Sequence, residues 1–398
     1  MINIIGGGIA GMTTAIVLSK AGIKSEIFEM KKKGKIISGS ITLSPNSIRI
    51  LKKIDCYRSI INQGWVINYV NFLDEKLTLL CSRELGNEKI YGEPTIGIKR
   101  QSLIDILYSK TVDNNIHYNY EKQVYDYYFN KNFSVIADGN SSINRLKINS
   151  KYIRKFSKIM YFGGYIYCTK EYLDYIISLL KINNFNQSVI INRSSFIGFS
   201  IINSEDNLKA IYWYTHIKSE KPLTNDELST IRKNIDISRV INSNLNLPMD
   251  ILNCIKLTNE IVTSNIYETF IDKLCYSDDF IIIGDAAHSI NPLSGQGAGM
   301  AIEDAYIFGN FIARNFEKIK NKAKISNDLK KLYDVRDLRI SKIQRRANLS
   351  CKINALVLPN FLYYIRNKLF ALQTHLISDK YNNAHYYDSD SEIKDLLI

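Results

Sequence analysis

The chain has 398 residues, 45% of them hydrophobic, enough for about two to three ordinary domains that each bury a core. Lysine and arginine number 52 against 39 aspartates and glutamates, a net charge of +13, but the cations are scattered through a sequence rich in Ile, Asn and Tyr, which marks a compositional bias and argues against a nucleic-acid surface. The six cysteines (Cys56, Cys81, Cys168, Cys254, Cys275 and Cys351) form no C-x-x-C pair and the five histidines show no metal-ligand spacing, which argues against a zinc site or a disulfide scaffold, and a reducing, cytoplasmic compartment is expected.

Ile2 to Ile5 is a short apolar run of the kind buried in a parallel sheet, and Gly6-Gly7-Gly8-Ile9-Ala10-Gly11 follows at once. Met12 to Lys20 has helical spacing, Gly22 stands where a helix C-terminal glycine belongs, and Lys24 to Phe28 alternates into a second strand. The spacing predicts a β-α-β unit within about 30 residues. Three glycines and the lack of a basic leader distinguish the apolar stretch Met1 to Leu18 from a signal peptide, and no other segment approaches the ~20 apolar residues of a span, so a soluble chain without stable membrane insertion is expected. The basic run Lys31-Lys32-Lys33 with Lys35 reads as a solvated loop, with a hold on cofactor phosphates as the alternative.

From Asp55 to Pro94 and from Lys151 to Glu268 the pattern changes to short β-rich runs, among them Ile159 to Cys168, Ser188 to Ile191, Phe196 to Ile202 and Ala210 to Thr215. Polar turns separate them, which predicts an antiparallel sheet in a second domain. Phe280 to Ile283 returns to a buried strand, and beyond Gly297 helical periodicity dominates, around Asp328 to Arg346 and Phe361 to Leu372, before a polar tail from Asp379 to Asp390. The expected fold class is α/β: a discontinuous Rossmann-like domain (1–70, 95–150 and 270–315), an inserted, mainly antiparallel β-sheet substrate domain (71–94 and 151–269) and C-terminal helices (316–398).

Three motifs carry chemistry. In Gly6-x-Gly8-x-x-Gly11 the first glycine permits the tight strand-to-helix turn, the second lets a pyrophosphate approach the backbone, and the third lets helix and strand pack closely. Glu29 ends the second strand at the expected distance of about 20 residues, where a carboxylate accepts hydrogen bonds from an unphosphorylated ribose. In the second motif, Gly284-Asp285-Ala286-Ala287-His288-Ser289, a buried strand delivers Asp285 to the sheet edge, and the loop Pro292 to Gly299 leads into a helix whose N-terminal amides favour negative charge. Val135-Ile136-Ala137-Asp138-Gly139-Asn140-Ser141-Ser142, with Arg145 close behind, is again strand, acid, glycine and hydroxyl.

In this order along the chain, the motifs resemble those of the single-component flavoprotein monooxygenases of the para-hydroxybenzoate hydroxylase type, over Met1 to about Arg314. Gly39 to Leu51 resembles that family's segment after the second strand, and Arg100-x-x-Leu103-x-x-x-Leu107 its helix led by an arginine; the part after residue 315 is only loosely similar. The resemblance implies FAD, held by Gly6, Gly8, Ile9, Ala10, Gly11, Glu29, Met30, Arg100, Asp138, Gly139, Gly284, Asp285, Pro292, Gly295, Gln296, Gly297, Ala298, Gly299 and Met300, with NADPH or NADH as a transient reductant admitted near Asp138 and Gly139. Two departures are Gly299, where many relatives carry Asn, and Met30-Lys31, where an Arg often follows the acid.

The implied reaction is insertion of one atom of O2 into a small aromatic or polycyclic substrate through a flavin C4a-hydroperoxide, in a monomer or homodimer. Reduction or epoxidation of a double bond, or halogenation, on the same scaffold is the enzymatic alternative, although the W-x-W motif of many halogenases is absent with only Trp65 and Trp213 present. A flavin-binding sensor without turnover is the alternative of another class. On the substrate side, His216 is the candidate base for a phenol, and Trp213, between Tyr212 and Tyr214, is with Pro292 the candidate pocket wall; core packing is the competing role for both the histidine and the tryptophan.

Overall fold

The computed structural model describes residues 1–34, 38–86, 88–124, 132–152, 154–182, 186–192, 195–203, 209–234, 237–245, 247–271, 275–354, 362–363, 365–368 and 385–391. Strand β1 (Ile2–Ile5) is buried at every residue, which is why it reads as an unbroken apolar run. It turns at Gly6 (φ 108°) into helix α1 (Ile9–Lys20) and then β2 (Ser25–Glu29), parallel to β1. A Cβ on Gly11 would lie 1.9 Å from the Gly6 carbonyl oxygen, so the close packing of helix on strand leaves no room for a side chain there.

The chain continues through β3 (Ser40–Leu43), α2 (Pro45–Lys53), α3 (Tyr57–Gln63), β4 (Trp65–Val66), β5 (Tyr69–Leu73), β6 (Leu79–Glu84), α4 (Glu88–Tyr91), β7 (Ile96–Lys99), α5 (Arg100–Asp113), β8 (His117–Tyr120), β9 (Ser134–Ile136) and α6 (Ile143–Ile148). Helices α3 and α4 interrupt the stretch from Asp55 to Pro94 that was read as short β-rich runs. With β15 (Phe280–Ile282), strands β9, β1, β2 and β8 form a five-stranded parallel sheet in the order β15-β9-β1-β2-β8. The ends of β1, β9 and β15, each followed by one of the three motifs, therefore lie side by side.

Between β9 and β15 run β10 (Lys155–Tyr167), α7 (Lys170–Leu179), β11 (Asn186–Ile191), β12 (Phe196–Asn203), β13 (Lys209–Lys218), α8 (Asn225–Asn234), α9 (Ile237–Leu245), α10 (Met249–Lys256) and β14 (Glu260–Glu268). The second sheet has the order β14-β10-β13-β12-β11-β5-β6 and is antiparallel except where β11 meets β5. Four helices in a stretch read as β-rich are a further correction. They supply apolar residues such as Leu173, Ile176, Leu228, Ile241 and Ile251 to a core against Phe162, Phe199, Ile211 and Trp213 on one face of the sheet.

Beyond β15 come the short helix α11 (Asp285–His288), a 3-10 turn (Pro292–Ser294), α12 (Gly297–Arg314), α13 (Phe316–Lys320) and α14 (Ser326–Asn354). The periodicity over Asp328 to Arg346 falls within α14, whereas half of Phe361 to Leu372 and half of the polar tail lie outside the described residues. No described helix is long and apolar enough to cross a membrane.

Helix α14 reaches back to the sheet edge through Arg336, whose side chain is fully buried. Its guanidinium donates to Asp304 Oδ1 at 2.8 and 3.1 Å and to Glu303 Oε2 at 3.0 Å. Asp304 Oδ2 in turn accepts the Gly284 N–H at 2.9 Å and contacts His288 Nε2 at 2.5 Å. Burial pushes the Asp304 carboxyl up, but His288 and Arg336 overcome it and hold the group at about 2 against its usual 3.8. A depressed carboxylate stabilises the fold fully above its unfolded pKa, so this contribution is expected to vanish as pH falls from about 4 to about 2. Arg336→Met leaves two carboxylates buried beside an apolar chain and is expected to destabilise the protein by about 3–5 kcal/mol, read as a lowered urea midpoint at pH 7; an unchanged midpoint overturns the assignment.

Candidate active site

Each glycine-acid motif ends a strand of the parallel sheet and leaves its backbone open. A Cβ built on Gly8, Gly139, Gly295 or Gly297 would meet no heavy atom within 4 Å. Glu29 braces the first turn, accepting the Gly7 N–H on Oε2 and the Lys31 N–H on Oε1, both at 2.8 Å. Ala10 is buried, Ile9 is half-buried beside the turn, and Met30 is 56% exposed and turned away. The described lysines of the basic loop are exposed as well.

Gly284 adopts φ 60°, and a Cβ on it would come within 3.1 Å of the Ala10 methyl, so the second motif packs directly on the first. Next to it, Asp285 keeps accessible surface, yet no donor among the described residues reaches its carboxylate. Burial raises its pKa and the Arg100 cation opposes the rise. Asp138 is similar: Oδ2 accepts from Asn144 Nδ2 at 3.0 Å, Oδ1 is buried without a partner, and burial raises the carboxyl. Buried polar oxygens without donors are costly in a finished interior and mark places where a ligand completes the bonding.

Two residues that lie in the quoted motifs but were given no role there hold these parts together. Arg145, fully buried, donates to the carbonyls of Ala286, Ala287 and Phe270, tying the Asp138-Gly139 turn to the Asp285 helix. Asn46 on α2 donates to Glu303 Oε1 at 2.7 Å and Gln296 Oε1 at 3.4 Å, while Gln296 Nε2 donates to Ser44 Oγ at 2.8 Å. The Asn46 amide nitrogen lies 3.5 Å from where a Cβ on Gly299 would stand, so α2 fills the space left by the missing Asn side chain. Neither role has a sequence signal beyond the spacing of polar residues.

At the start of α12, Gly297 and Ala298 are half-buried, and Pro292 and Gly295 on the approach are exposed. Met300 is a correction: its side chain is fully buried with Ile290, Ile340, Ile343 and Ala347 beneath α14, and its N–H already bonds the Gln296 carbonyl at 2.8 Å. Trp213 is another. Alternation along β13 sends it with Ile211 and Ile217 to the helix-covered face, where Nε1 donates to Thr258 Oγ1 at 2.8 Å, so it walls no pocket on the opposite side.

The opposite face of β13 carries Tyr212, Tyr214 and His216, with Tyr161 and Tyr165 across on β10. Gly163 and Gly198 flank Tyr214 in the register, and a Cβ on Gly198 would lie 2.3 Å from the Tyr214 ring. The missing side chains let the phenols lie flat along the sheet, where the Tyr161 and Tyr212 hydroxyls hydrogen-bond each other. Gly39 packs against this face, its Cβ position 3.9 Å from the Tyr212 hydroxyl, and the Arg100 cation acts on both the Tyr212 phenol and Asp285. The tyrosine face and the motif-bearing sheet edge thus border the same region. Tyr161 and Tyr214 retain accessible surface on this face, while burial pushes both phenols up.

His216 belongs to this face, its ring 5.5 Å from that of Tyr161 and 5.4 Å from that of Phe196. Burial lowers its pKa to about 3, too weak a base to take a proton from a phenol near 10. No group of His, Cys, Asp and Glu able to hold a metal occurs among the described residues.

Comparison with known proteins agrees with this geometry. Residues 1–77 match a family model described as an FAD binding domain. The chain is 22% identical over 342 residues to the FAD-dependent monooxygenase asqG of Emericella nidulans, covering 79% of this chain but only 60% of that protein's length. Against the FAD-dependent monooxygenase janM of Penicillium janthinellum it is 24% identical over 374 residues, 88% of this chain and 77% of the relative. Among solved structures, a single-residue variant of HpxO from Klebsiella pneumoniae complexed with FAD superposes with a TM-score of 0.73 at 15% identity, over 96% of this chain and 98% of that one, which shows the shared fold.

FAD fits the residues present: open glycine backbones, one buried donor-less carboxylate oxygen on Asp138 and a second free carboxylate on Asp285. Gly8→Val is therefore expected to fold but to lose flavin, since its side chain fills only open space, whereas Gly11→Ala is expected to prevent folding. Circular dichroism and the ratio of 450 to 280 nm absorbance after gel filtration check both; a yellow Gly8→Val protein contradicts the site.

Proposed function

We propose that this chain is an FAD-dependent monooxygenase that uses NADPH or NADH to place one atom of O2 on an electron-rich carbon of a substrate lying against the tyrosine face. The observation that carries the reading is the meeting of Asp138, whose Oδ1 has no donor, and the part-exposed carboxylate of Asp285 with the open glycine backbones beside a wall of phenols. FAD, when bound, supplies the redox chemistry that activates O2 once the flavin has been reduced.

The protein's share is binding, orientation and exclusion of water. Gly8 would admit the pyrophosphate, Glu29 the adenosine ribose and Asp285 the ribityl hydroxyls, while the free amides at the start of α12 favour the negative charge that a reduced flavin carries. Asp138 Oδ1 is placed for the cofactor or for the nicotinamide donor beside it. The phenols along β10 and β13 form a largely apolar floor on which an aromatic substrate can stack, and they bring no fixed charge of their own.

Asp285→Asn is expected to weaken FAD binding about tenfold or more, the loss of one or two charge-assisted hydrogen bonds, read by fluorescence titration of the apoprotein. For the reaction itself, NADPH oxidation stimulated by a phenol such as 1-naphthol, in 18O2, is expected to give a product heavier by one labelled oxygen atom. A product heavier by two hydrogens, or an oxygen drawn from water, overturns the oxygenase reading in favour of a reductase or hydratase.

A further inference from the structure

The outer end of the tyrosine face holds a group that nothing in the fold explains. His216 is 7% exposed, and neither Nδ1 nor Nε2 has a hydrogen-bond partner. Each ring nitrogen left without a partner in an interior is a cost the fold does not recover, and here both nitrogens are in that state. The side chain is on the same face as Tyr212 and Tyr214 and stands in register with Tyr161. Tyr161 and Tyr214, its neighbours on this face, keep accessible surface.

Four residues of strand, about 13 Å, separate His216 from Tyr212, which marks the end nearest Gly39 and Arg100. A single benzene ring cannot span that distance. A neutral imidazole offers one N–H donor and one acceptor, which match a hydroxyl or an amide and leave a carboxylate half-satisfied. The strand positions on this face around it, Tyr161, Phe196, Gly198 and Tyr214, carry no charge that would pair with an ionised substrate.

We propose that His216 is a specificity-determining residue that hydrogen-bonds a hydroxyl or amide at the far end of an uncharged substrate at least two rings long, seated along β13 with its reacting end toward Tyr212. The inference rests on the oxygenase reading for the region's occupant. It replaces a role in proton abstraction with one in recognition, consistent with an imidazole that burial keeps neutral across the physiological range.

Calorimetric titration of the FAD-loaded protein with 4-phenylphenol, biphenyl, biphenyl-4-carboxylate and phenol tests it. Wild-type protein is expected to bind 4-phenylphenol most tightly and the carboxylate and phenol at least tenfold more weakly. His216→Phe keeps the ring volume beside Tyr161 and Phe196 and is expected to weaken 4-phenylphenol about five- to tenfold, the loss of one hydrogen bond, while biphenyl changes less than twofold. His216→Gln, which retains a donor and an acceptor, is expected to recover most of the loss. Equal weakening of 4-phenylphenol and biphenyl, tighter binding of the carboxylate, or no binding of any two-ring probe overturns the inference. Absorbance at 450 nm, recorded on the same samples, separates the outcomes: loss of colour defeats the flavin reading, whereas yellow protein indifferent to residue 216 defeats only this one.

Discussion

A guanidinium removed from water must be answered on every side, and Arg336 is answered by two carboxylates and a tyrosine hydroxyl, those of Asp304, Glu303 and Tyr387. Taking such charges into an interior is expensive, and the arrangement persists because each partner has further bonds of its own. Asp304 passes the constraint to the Gly284 N–H and to His288, and Glu303 passes it to Asn46 and Arg339. Asn46 leads on to Gln296 at the mouth of α12. One buried cation on the C-terminal helix therefore governs both the backbone turn that presents Asp285 and the loop that leads into α12. Arg145 supplies the same service from the other direction, through the carbonyls of Ala286, Ala287 and Phe270.

The two sheets divide the work. The parallel sheet places three strand ends side by side, so that acids and glycines far apart in the chain converge without any single segment being long enough to form the site alone. The second sheet contributes a wall of phenols, packed over Gly163 and Gly198, whose absent side chains leave the room that Tyr161, Tyr212 and Tyr214 occupy. Its other face, with Trp213 and Phe199, is sealed by helices α7 to α10 and so gives the wall rigidity.

Legibility in the sequence followed the range of the physics involved. The β-α-β turn and Glu29 were readable because tight turns and close helix packing need glycine at set spacings, and the hydrogen bond from Gly7 to Glu29 follows from the same local geometry. Most strands were found within a few residues, and Phe280 to Ile283 matched β15 closely. The helices inside the β-rich stretch were missed although Thr224 and Glu227 form a reciprocal cap at the start of α8, a pattern visible in the sequence. Trp213 went to the wrong side because aromatic residues in a row say nothing about which parity faces the cofactor; only pairing with β10 and β12 settles that. Asn46 and Arg336 lay beyond reach, since their partners are 257 and 32 residues away and no spacing rule connects them.

Arg336 also orders events in time. A ribosome releases the glycine turn, the Asp138 segment and the Gly284-Asp285 strand before this arginine emerges. Until it does, Glu303 and Asp304 are carboxylates without their principal counter-ion, and the Asp304 bond that holds the turn at Gly284 lacks its anchor. A nascent chain thus carries every recognisable motif before their scaffold is fixed, and truncation upstream of α14 would produce a polypeptide that bears all three glycine-acid motifs yet lacks the cation that holds Glu303 and Asp304.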